Sequence, residues 1–367
     1  MMTKKLLATW LGAFLIAAGV ANAQDVTADF EKGPIELTSA GPLAFAPQGI
    51  LLVGDAKAAT IYAIDVGEMS KNPNEVSLEI ANLDEKLAGA LGIDKSEVMV
   101  NDLAVNPMTG TAYLSVSRGK GPDAAVVLIQ VTGPEEFSEL SLKDVSHSTA
   151  TLPNAPGEDQ KDRRGQPLRA FSITDISFVD GRVVVAGLSN EEFSSNLRAI
   201  QFPFELTGEG TAVEVFHGAH GRYETNAPVR TFAPISINNE PYIVAAYTCT
   251  PLVKFPLSEL KEGKKLRGTT VAELGNRNNP LDMFVYEKDG AEYILMANSA
   301  RGTMKISTKD IEREEGIEKP IEDKAGQTYE TIDDLKGVVQ LARLNTDHAL
   351  VVIQNQSGMH LKTVDLP

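Results

Sequence analysis

The stretch ITDISFVDGRVVVAGLSNEEFSSNLRAIQFP, residues 173–203, decides the fold class. A short apolar strand reaches a turn at Asp180 and Gly181, the strongly apolar strand VVVAGL follows, and a polar loop then leads to a third strand. Asp and Gly favour turns, and a continuous apolar strand is typical of a sheet packed on both faces. The stretch therefore predicts three antiparallel strands of one small sheet.

Five other stretches repeat this order of strands and turns. The six units begin near residues 41, 100, 173, 232, 280 and 337, and helical periodicity is scarce between them. Repeated units of this kind form the blades of a β-propeller, in which each sheet buries its faces against its neighbours. We predict an all-β, six-bladed β-propeller. A seven-bladed ring and two stacked β-sandwiches are the alternatives.

The two ends of the repeat array predict how the ring closes. The last unit stops after its third strand, so its blade lacks an outer strand. The segment GPIELTSA, residues 33–40, precedes the first unit and has no partner within it. We therefore expect residues 34–40 to join the C-terminal blade as its outer strand and to close the ring.

The N-terminus has the pattern of a secretory signal peptide. Lys4 and Lys5 precede an apolar run, and Ala21-Asn22-Ala23 forms a small-x-small cleavage site. The apolar run is shorter than the ~20 residues that span a bilayer. We expect residues 1–23 to be removed, residues 24–367 to form a single propeller domain in the periplasm or outside the cell, and no membrane span to remain.

The charge and the cysteine count narrow the classes of partner. The chain has a formal net charge of −16 at pH 7, and such a surface repels the phosphates of nucleic acid. A small-molecule ligand or a periplasmic protein is the expected partner. Cys249 is the one cysteine of the sequence, so the chain forms no internal disulfide.

The six units resemble the six-bladed propeller superfamily that includes NHL-repeat proteins, YVTN-type repeats and the gluconolactonase and paraoxonase group. This resemblance is architectural and covers nearly the whole chain after residue 23. It implies that functional loops surround one end of a central channel. The lactonase and arylesterase propellers of that superfamily hold Ca²⁺ at the channel through Asn, Asp and Glu oxygens.

Polar residues are concentrated in the loops expected on the functional face. Loops on a rigid scaffold commonly carry ligand sites. In a propeller, the loops between second and third strands share one face with the loops that lead into the innermost strands. The ligand-binding candidates on these loops are Asn190, Glu191, Glu192, Cys249, Asn276, Asn279, Asn298, Arg301 and His360.

Three aspartates occupy equivalent positions in the innermost strands. The segments NDLAV, TDISF and LDMFV align Asp102, Asp175 and Asp282. Carboxylates that converge on one axis repel each other unless a cation or hydrogen-bond donors offset their charge. We expect either a divalent metal site, with Asn101 as a fourth ligand, or hydrogen bonds from backbone amides of the adjacent blade to each Asp.

The loop HGAHGRYETN places His217 and His220 three residues apart. Gly218 and Gly221 permit the backbone to curl so that both imidazoles can share a metal ion. Either histidine could instead act as a general base. Arg301 completes the catalytic candidates.

Three functions remain open from the sequence. The first is an exported module that binds a ligand or a protein through its polar loop face. The second is a Ca-dependent, lactonase- or esterase-like hydrolase that uses the channel aspartates. The third is a copper or redox site built from Cys249, the histidines and Met359. The sequence has no haem-attachment motif and no phosphate-binding loop, so haem and nucleotide are not expected.

Overall fold

The computed structural model describes residues 25–39, 41–67, 71–121, 124–249 and 251–367. The expected signal peptide, residues 1–23, lies outside the described residues. None of the described helices is long and apolar enough to cross a membrane.

The secondary structure is almost entirely β. The strands of the first half are β1 (Glu31–Gly33), β2 (Leu43–Ala46), β3 (Ile50–Asp55), β4 (Thr60–Asp65), β5 (Glu79–Ile80), β6 (Val98–Val105), β7 (Ala112–Arg118), β8 (Ala125–Gly133), β9 (Glu136–Glu139), β10 (Val145–Thr151), β11 (Asp175–Val179), β12 (Arg182–Leu188), β13 (Ser195–Gln201), β14 (Thr211–His217) and β15 (Arg222–Glu224). The strands of the second half are β16 (Thr231–Ile237), β17 (Glu240–Ala246), β18 (Pro251–Pro256), β19 (Lys265–Arg267), β20 (Thr269–Leu274), β21 (Pro280–Lys288), β22 (Ala291–Asn298), β23 (Gly302–Ser307), β24 (Lys324–Gly326), β25 (Tyr329–Thr331), β26 (Val338–Arg343), β27 (His348–Asn355) and β28 (Gly358–Asp365). The α-helix α1 spans Leu83–Leu91, and 3₁₀ turns span Pro47–Gly49, Pro73–Glu75, Lys95–Glu97, Leu168–Phe171, Gly218–His220, Leu257–Glu259 and Asp333–Leu335.

Six sheets form the six blades, which we number in chain order. Blade 1 contains β2, β3, β4, β10 and β1; blade 2 contains β6 to β9; blade 3 contains β11 to β15, with β19 paired to β14. Blade 4 contains β16, β17, β18, β20 and β24; blade 5 contains β21, β22, β23 and β25; blade 6 contains β26, β27, β28 and β5. The prediction of a six-bladed β-propeller is confirmed, and the six innermost strands begin close to the predicted starts of the units.

The order of the blades around the ring differs from their order along the chain. Contacts between innermost strands run from β2 to β11, β16, β21, β26 and β6, and then back to β2. Six apolar clusters fill the six gaps between blades that are neighbours in this order. Blade 2 therefore lies between blades 6 and 1, and blade 1 directly contacts blade 3.

The packing of β3 shows why the central strands carry long apolar runs, here from Ile50 to Val53. Ile50 and Leu52 belong to the cluster between blades 1 and 3, whereas Leu51 and Val53 belong to the cluster between blades 1 and 2. Successive side chains of a strand point to opposite faces of its sheet. Both faces of a blade are covered, so an uninterrupted apolar strand is required.

The ring does not close in the predicted way. The outer strand of blade 6 is β5, in which Ile80 is paired with Leu361 of β28. Residues 34–39 lie in no strand, and β1 pairs with β10 in blade 1. The prediction that residues 34–40 complete the C-terminal blade is therefore wrong.

Hydrogen bonds explain both placements. The hydroxyls of Thr38 and Ser39 donate to the buried carboxylate of Asp55, at 2.9 and 2.6 Å, and so hold the N-terminal segment on blade 1. The Leu78 amide donates to Thr363 Oγ1, at 2.9 Å, beside the ladder of blade 6. The chain thus leaves blade 1 after β4, supplies the outer strand of blade 6, and then builds blade 2 in the gap between them.

Candidate functional site

The three predicted aspartates converge on the channel, but their oxygens bond backbone amides. Oδ2 of Asp102 accepts from the Leu43 amide at 2.6 Å, and Oδ2 of Asp175 accepts from the Phe232 amide at 2.7 Å. Oδ2 of Asp282 accepts from the Leu341 amide at 2.7 Å. Each bond crosses to the innermost strand of the adjacent blade, as the backbone alternative of the sequence analysis predicts.

These three hydrogen bonds join the six blades in pairs. Blade 2 is tied to blade 1, blade 3 to blade 4, and blade 5 to blade 6, so every second blade in the ring supplies one aspartate. Asp102 and Asp175 also accept from the amide of the residue that follows them, at 2.8 Å in both cases. Each aspartate therefore holds two neighbouring blades together, and we call these three contacts the aspartate seams.

The carboxyl groups of the channel hold their protons more tightly than ordinary aspartates. Burial raises the pKa of Asp102 to about 8 and the pKa of Asp175 to about 6, against the lowering effect of the amide hydrogen bonds. Burial, followed by the charge of Asp102, raises the pKa of Asp282 well above its ordinary value. Asp102 is therefore largely neutral at pH 7.

A polar cavity of about 420 Å³ lies directly above these seams. We call it the channel mouth, and its lining residues are Ser39, Gly41, Pro42, Ala56, Lys57, Asn101, Asp102, Ala170, Phe171, Ile173, Thr174, Asp175, Arg230, Thr231, Leu281, Asp282 and Gln340. The three aspartates also line a second cavity below, so they divide the channel into two parts. The volume lies in the range of about 300–1,000 Å³ that is typical of small-molecule sites.

Arg230 is the distinctive cation of the channel mouth. Its side chain is half-buried, and burial lowers the pKa of its guanidinium. Among the residues the structure describes, no carboxylate oxygen lies within 4.0 Å of this guanidinium, and its Nε is buried without a hydrogen-bond partner. A guanidinium in this state is suited to an anionic group of a ligand.

The polar wall of the channel mouth is held in place by hydrogen bonds. Gln340 Nε2 donates to the carbonyl of Asn101 at 2.9 Å, and Asn101 Nδ2 donates to Ser117 Oγ at 3.0 Å. On the opposite wall, Arg169 Nε donates to the carbonyl of Lys57 at 2.8 Å. These bonds tie blade 6 to blade 2 on one side of the cavity and the loop before blade 3 to blade 1 on the other.

The candidates on the loops between second and third strands do not line the channel mouth. Asn298 Nδ2 donates to Asn278 Oδ1 at 2.8 Å, while Asn298 Oδ1 accepts from the amides of Ala300 and Arg301, each at 3.1 Å. Arg301 Nη2 donates to the carbonyl of Asn276 at 3.1 Å. These bonds shape the junction of blades 4 and 5.

The remaining loop candidates lie in separate parts of the ring. In blade 3, Glu191 Oε1 accepts from Asn154 Nδ2 at 3.3 Å, and Glu192 follows it in the same loop. The Cys249 amide in blade 4 donates to the carbonyl of Asn278 at 2.8 Å, and His360 in blade 6 contacts Ser357 Oγ at 2.9 Å. Asn190 in blade 3 and Asn279 in blade 5 bond through their backbone amides, to the carbonyl of Asn154 and to Ser299 Oγ respectively.

The histidines of the loop 215–228 do come together, at the outer rim of the ring. The two Nδ1 atoms lie beside one carboxylate: His217 Nδ1 is 3.1 Å from Glu224 Oε2, and His220 Nδ1 is 2.7 Å from Glu224 Oε1. The ring centroids are 4.0 Å apart. Hydrogen bonds from the two imidazoles lower the pKa of Glu224 to about 2, so this carboxylate is ionised at neutral pH.

A metal ion could be held at this rim cluster, which we define as His217, His220 and Glu224. Their ligand atoms all lie within 4.8 Å of one another. Within the described ranges, the channel aspartates, Cys249 and His360 do not form a group of three or more such residues at that spacing. The predicted calcium and copper sites therefore stay predictions, whereas the rim has a geometry compatible with a metal.

Sequence reasoning missed Arg230, Gln340 and Glu224 as candidate residues. Arg230 directly precedes β16, and Gln340 lies in β26, so both stand near the start of an innermost strand, as the aspartates do. That register is the signal that could have identified them. Glu224 is a candidate because the hairpin of β14 and β15 brings its carboxylate beside both imidazoles.

Comparisons with known proteins give only weak similarities, all to solved structures. No protein-family model matches the chain, and no curated protein matches it. A protein of Thermus thermophilus, described as an oxidoreductase (glucose dehydrogenase), is 13% identical, with a TM-score of 0.38, and the match covers 91% of this chain and 100% of that one. The PQQ-bound aldose sugar dehydrogenase of Streptomyces coelicolor is 12% identical, with a TM-score of 0.34 and coverage of 92% and 98%.

A third structure, an engineered GH43 glycoside hydrolase, is 9% identical, with a TM-score of 0.36. The match covers 74% of this chain and 51% of that chain. At these identities and TM-scores, none of the three similarities carries an inference about what this chain binds or catalyses. The six-bladed assignment rests on the sheets and on the closed circle of innermost strands.

Proposed function

We propose that this protein is an exported binding protein that holds a small organic anion in the channel mouth. The observation that carries the proposal is the half-buried guanidinium of Arg230, which lacks a carboxylate partner among the described residues and lines a polar cavity of about 420 Å³. Export is proposed from the N-terminal pattern of the sequence. A small ligand fits the cavity volume better than a protein segment does.

The chemistry of the cavity favours a ligand with at least one anionic group and additional polar groups. A carboxylate that approaches Arg230 gains charge-assisted hydrogen bonds, which are stronger than bonds between neutral groups. Asn101 and Gln340 offer further polar contacts on the wall. Asp102, which is largely neutral at pH 7, repels an anion far less than an ionised aspartate does.

Binding of small organic acids to the purified protein tests this proposal. Succinate, citrate and gluconate are titrated by isothermal calorimetry into the wild type, Arg230→Met and Arg182→Met. Arg182 is a half-buried arginine at the β11–β12 turn, away from the channel mouth, and it serves as the matched control. We expect at least one acid to bind the wild type and the control equally, and Arg230→Met to weaken its Kd at least tenfold. Equal binding by all three proteins, or no binding of any acid, would overturn the proposal.

The two metal-based alternatives have less support. Each channel aspartate already bonds the amide of an adjacent blade, which reduces the number of oxygens that a Ca-dependent hydrolase could use. Cys249 and His360 belong to blades 4 and 6, so the copper hypothesis lacks a shared position for its soft ligands. A calcium titration under the same conditions separates the hydrolase alternative from anion binding.

A further inference from the structure

The rim cluster is built by a tight hairpin at the edge of blade 3. The strand β14 ends at His217, the turn Gly218–His220 reverses the chain, and β15 returns antiparallel with Arg222 opposite His217. Gly221 has a φ of +63°, and a Cβ at this position would meet Pro320 Cγ at 3.0 Å. A glycine is therefore required for the turn that brings His220 back over Glu224.

The distances within the rim cluster are close to those of a metal site. In a tetrahedral zinc site, metal–ligand bonds of about 2.0–2.2 Å place neighbouring N and O ligands about 3.3–3.5 Å apart. The two imidazole-to-carboxylate distances are 3.1 and 2.7 Å. Small outward movements of His220 and Glu224 would therefore admit a cation, and the fold of the hairpin need not change.

Buried atoms without partners give a second, independent indication of a ligand. His217 is 3% exposed, and its Nε2 has no hydrogen-bond partner within the described part of the chain. Glu273, which enters from β20 of blade 4, is 1% exposed, and its Oε2 also lacks a partner there. Its Oε1 accepts from the Gly218 amide at 2.5 Å, which fixes Glu273 beside the histidine turn. Native proteins rarely leave such buried atoms unsatisfied.

A metal ion bound to Nδ1 of His217 would give a role to the two buried atoms without partners, Nε2 of His217 and Oε2 of Glu273. Coordination through Nδ1 requires the proton of the neutral imidazole to sit on Nε2. Metal-bound histidines commonly donate this second N–H to a carboxylate, which orients the ring. The Oε2 atom of Glu273, supplied by the adjacent blade, is not bonded to Nε2 of His217 in this structure, and a small rotation of the Glu273 side chain would supply this acceptor.

We propose that the rim cluster binds one divalent transition-metal ion of the zinc class. The ligands are Nδ1 of His217, Nδ1 of His220 and the carboxylate of Glu224, and Glu273 is a positioning residue. Nitrogen ligands favour zinc and its neighbours over calcium and magnesium, which prefer oxygen. The side chain of His220 is 49% exposed, so the open side of the ion faces solvent.

The charges around the cluster are consistent with a bound cation. Glu224 and Glu273 bring two carboxylates to the cluster, and among the described residues Arg222 is the one Lys or Arg that pairs with Glu224, with its Nε 3.4 Å from Glu224 Oε1. The Arg222 side chain is 73% exposed, so it can turn into solvent when the metal enters. The hydrogen bond from the Gly218 amide to Glu273 Oε1 then links the metal-bearing turn to blade 4.

Metal titration of the full chain tests this inference. Protein freed of metal with a chelator is titrated with zinc chloride by calorimetry, and cobalt(II) is added separately to record visible absorption. The variants are His220→Gln and Glu273→Gln. The matched control is His348→Gln, because His348 Nε2 also lies beside a carboxylate, 3.2 Å from Asp365 Oδ1 in blade 6.

We expect one zinc ion per chain, a Kd at least tenfold weaker in His220→Gln, and a severalfold weaker Kd in Glu273→Gln. The control variant should equal the wild type, and the cobalt bands should disappear in His220→Gln. His220 is exposed, so its substitution leaves the fold intact, and melting curves of metal-free protein check this. Absence of a stoichiometric site, or zinc affinity unchanged in His220→Gln, would overturn the inference without bearing on anion binding at the channel mouth.

Discussion

Charged side chains converge in two regions of this propeller, and the two regions use them differently. On the axis, Asp102, Asp175 and Asp282 each accept a hydrogen bond from an amide of the adjacent blade. At the rim, His217 and His220 both hydrogen-bond Glu224, and Nε2 of His217 is buried without a partner among the described residues. The convergence of charged side chains therefore does not by itself identify a ligand site. Unused hydrogen-bonding atoms are the stronger indication of a missing ligand.

The largest expected effect concerns the axis. Asp175→Ala removes the acceptor of the Phe232 and Ile176 amides, and a buried donor left unsatisfied costs about 1–3 kcal/mol. We expect the free energy of unfolding at pH 5, where Asp175 is mostly neutral, to fall by about 2–3 kcal/mol. Urea denaturation measures this loss.

Asp144→Ala is the matched control for Asp175→Ala. Asp144 is exposed and pairs with exposed Lys32 at 3.1 Å, so its loss should change the free energy of unfolding by less than about 1 kcal/mol. If both alanine variants have the same free energy of unfolding, the aspartate seams do not hold the blades together. The proposed structural role of the axis aspartates would then be contradicted.

The pH dependence of stability should also come from the axis. The pKa of Asp102 is about 8 in the folded protein and near 3.8 when unfolded, so the native state binds more protons between these values. The contribution of this group to stability is therefore fully present below about pH 4 and is lost as the pH rises towards 8. We expect the unfolding free energy of Asp102→Asn to fall less steeply between pH 5 and 8 than that of the wild type.

Thermal melting of the wild type and Asp102→Asn in a series of buffers measures this difference. The comparison uses the change with pH in each protein, so any constant cost of the Asn substitution cancels. A variant whose stability falls as steeply as that of the wild type between pH 5 and 8 would show that Asp102 is ionised throughout this range.

The smallest expected effect concerns the rim. Arg222→Ala removes an ion pair in which the arginine is 73% exposed, and pairs that solvent screens in this way contribute about 0–1 kcal/mol to stability. We expect a change of less than about 0.5 kcal/mol in the free energy of unfolding, together with tighter zinc binding, because the competing cation is gone. Denaturation and calorimetry on the same preparation measure both. Weaker zinc binding would contradict the proposed charge balance of the rim cluster.

The sequence predicted the blades well because their signal is local. Strands such as β3 and β12 carry long runs of apolar residues, since each lies between two covered faces, and the turns carry Gly, Asn or Asp. The alignment of Asp102, Asp175 and Asp282 also followed directly from the register of the innermost strands. Both features depend on residues that are close together in the sequence.

Closure and ring order could not be predicted in the same way. The outer strand β5 has two residues, and its pairing with β28 joins positions more than 280 residues apart. So short an edge strand has no periodicity of its own. The segment 34–39 looked like a strand, but its Thr38 and Ser39 hydroxyls are used to satisfy Asp55 in blade 1.

The candidate sites were predicted in part. The loop of His217 and His220 stood out because two histidines lie three residues apart, and the hairpin brings them together. Glu273 comes from a different blade and has no pattern that links it to the loop. Arg230 is one arginine in a long loop, and its importance depends on burial without a carboxylate partner in the described structure.

Anomalous diffraction from zinc-soaked crystals of the metal-free protein is the most direct test of the contrast between axis and rim. We expect one strong peak about 2.0–2.2 Å from Nδ1 of His217, Nδ1 of His220 and a carboxylate oxygen of Glu224, and no peak among the channel aspartates. A peak between Asp102, Asp175 and Asp282, with none at the rim, would contradict this expectation.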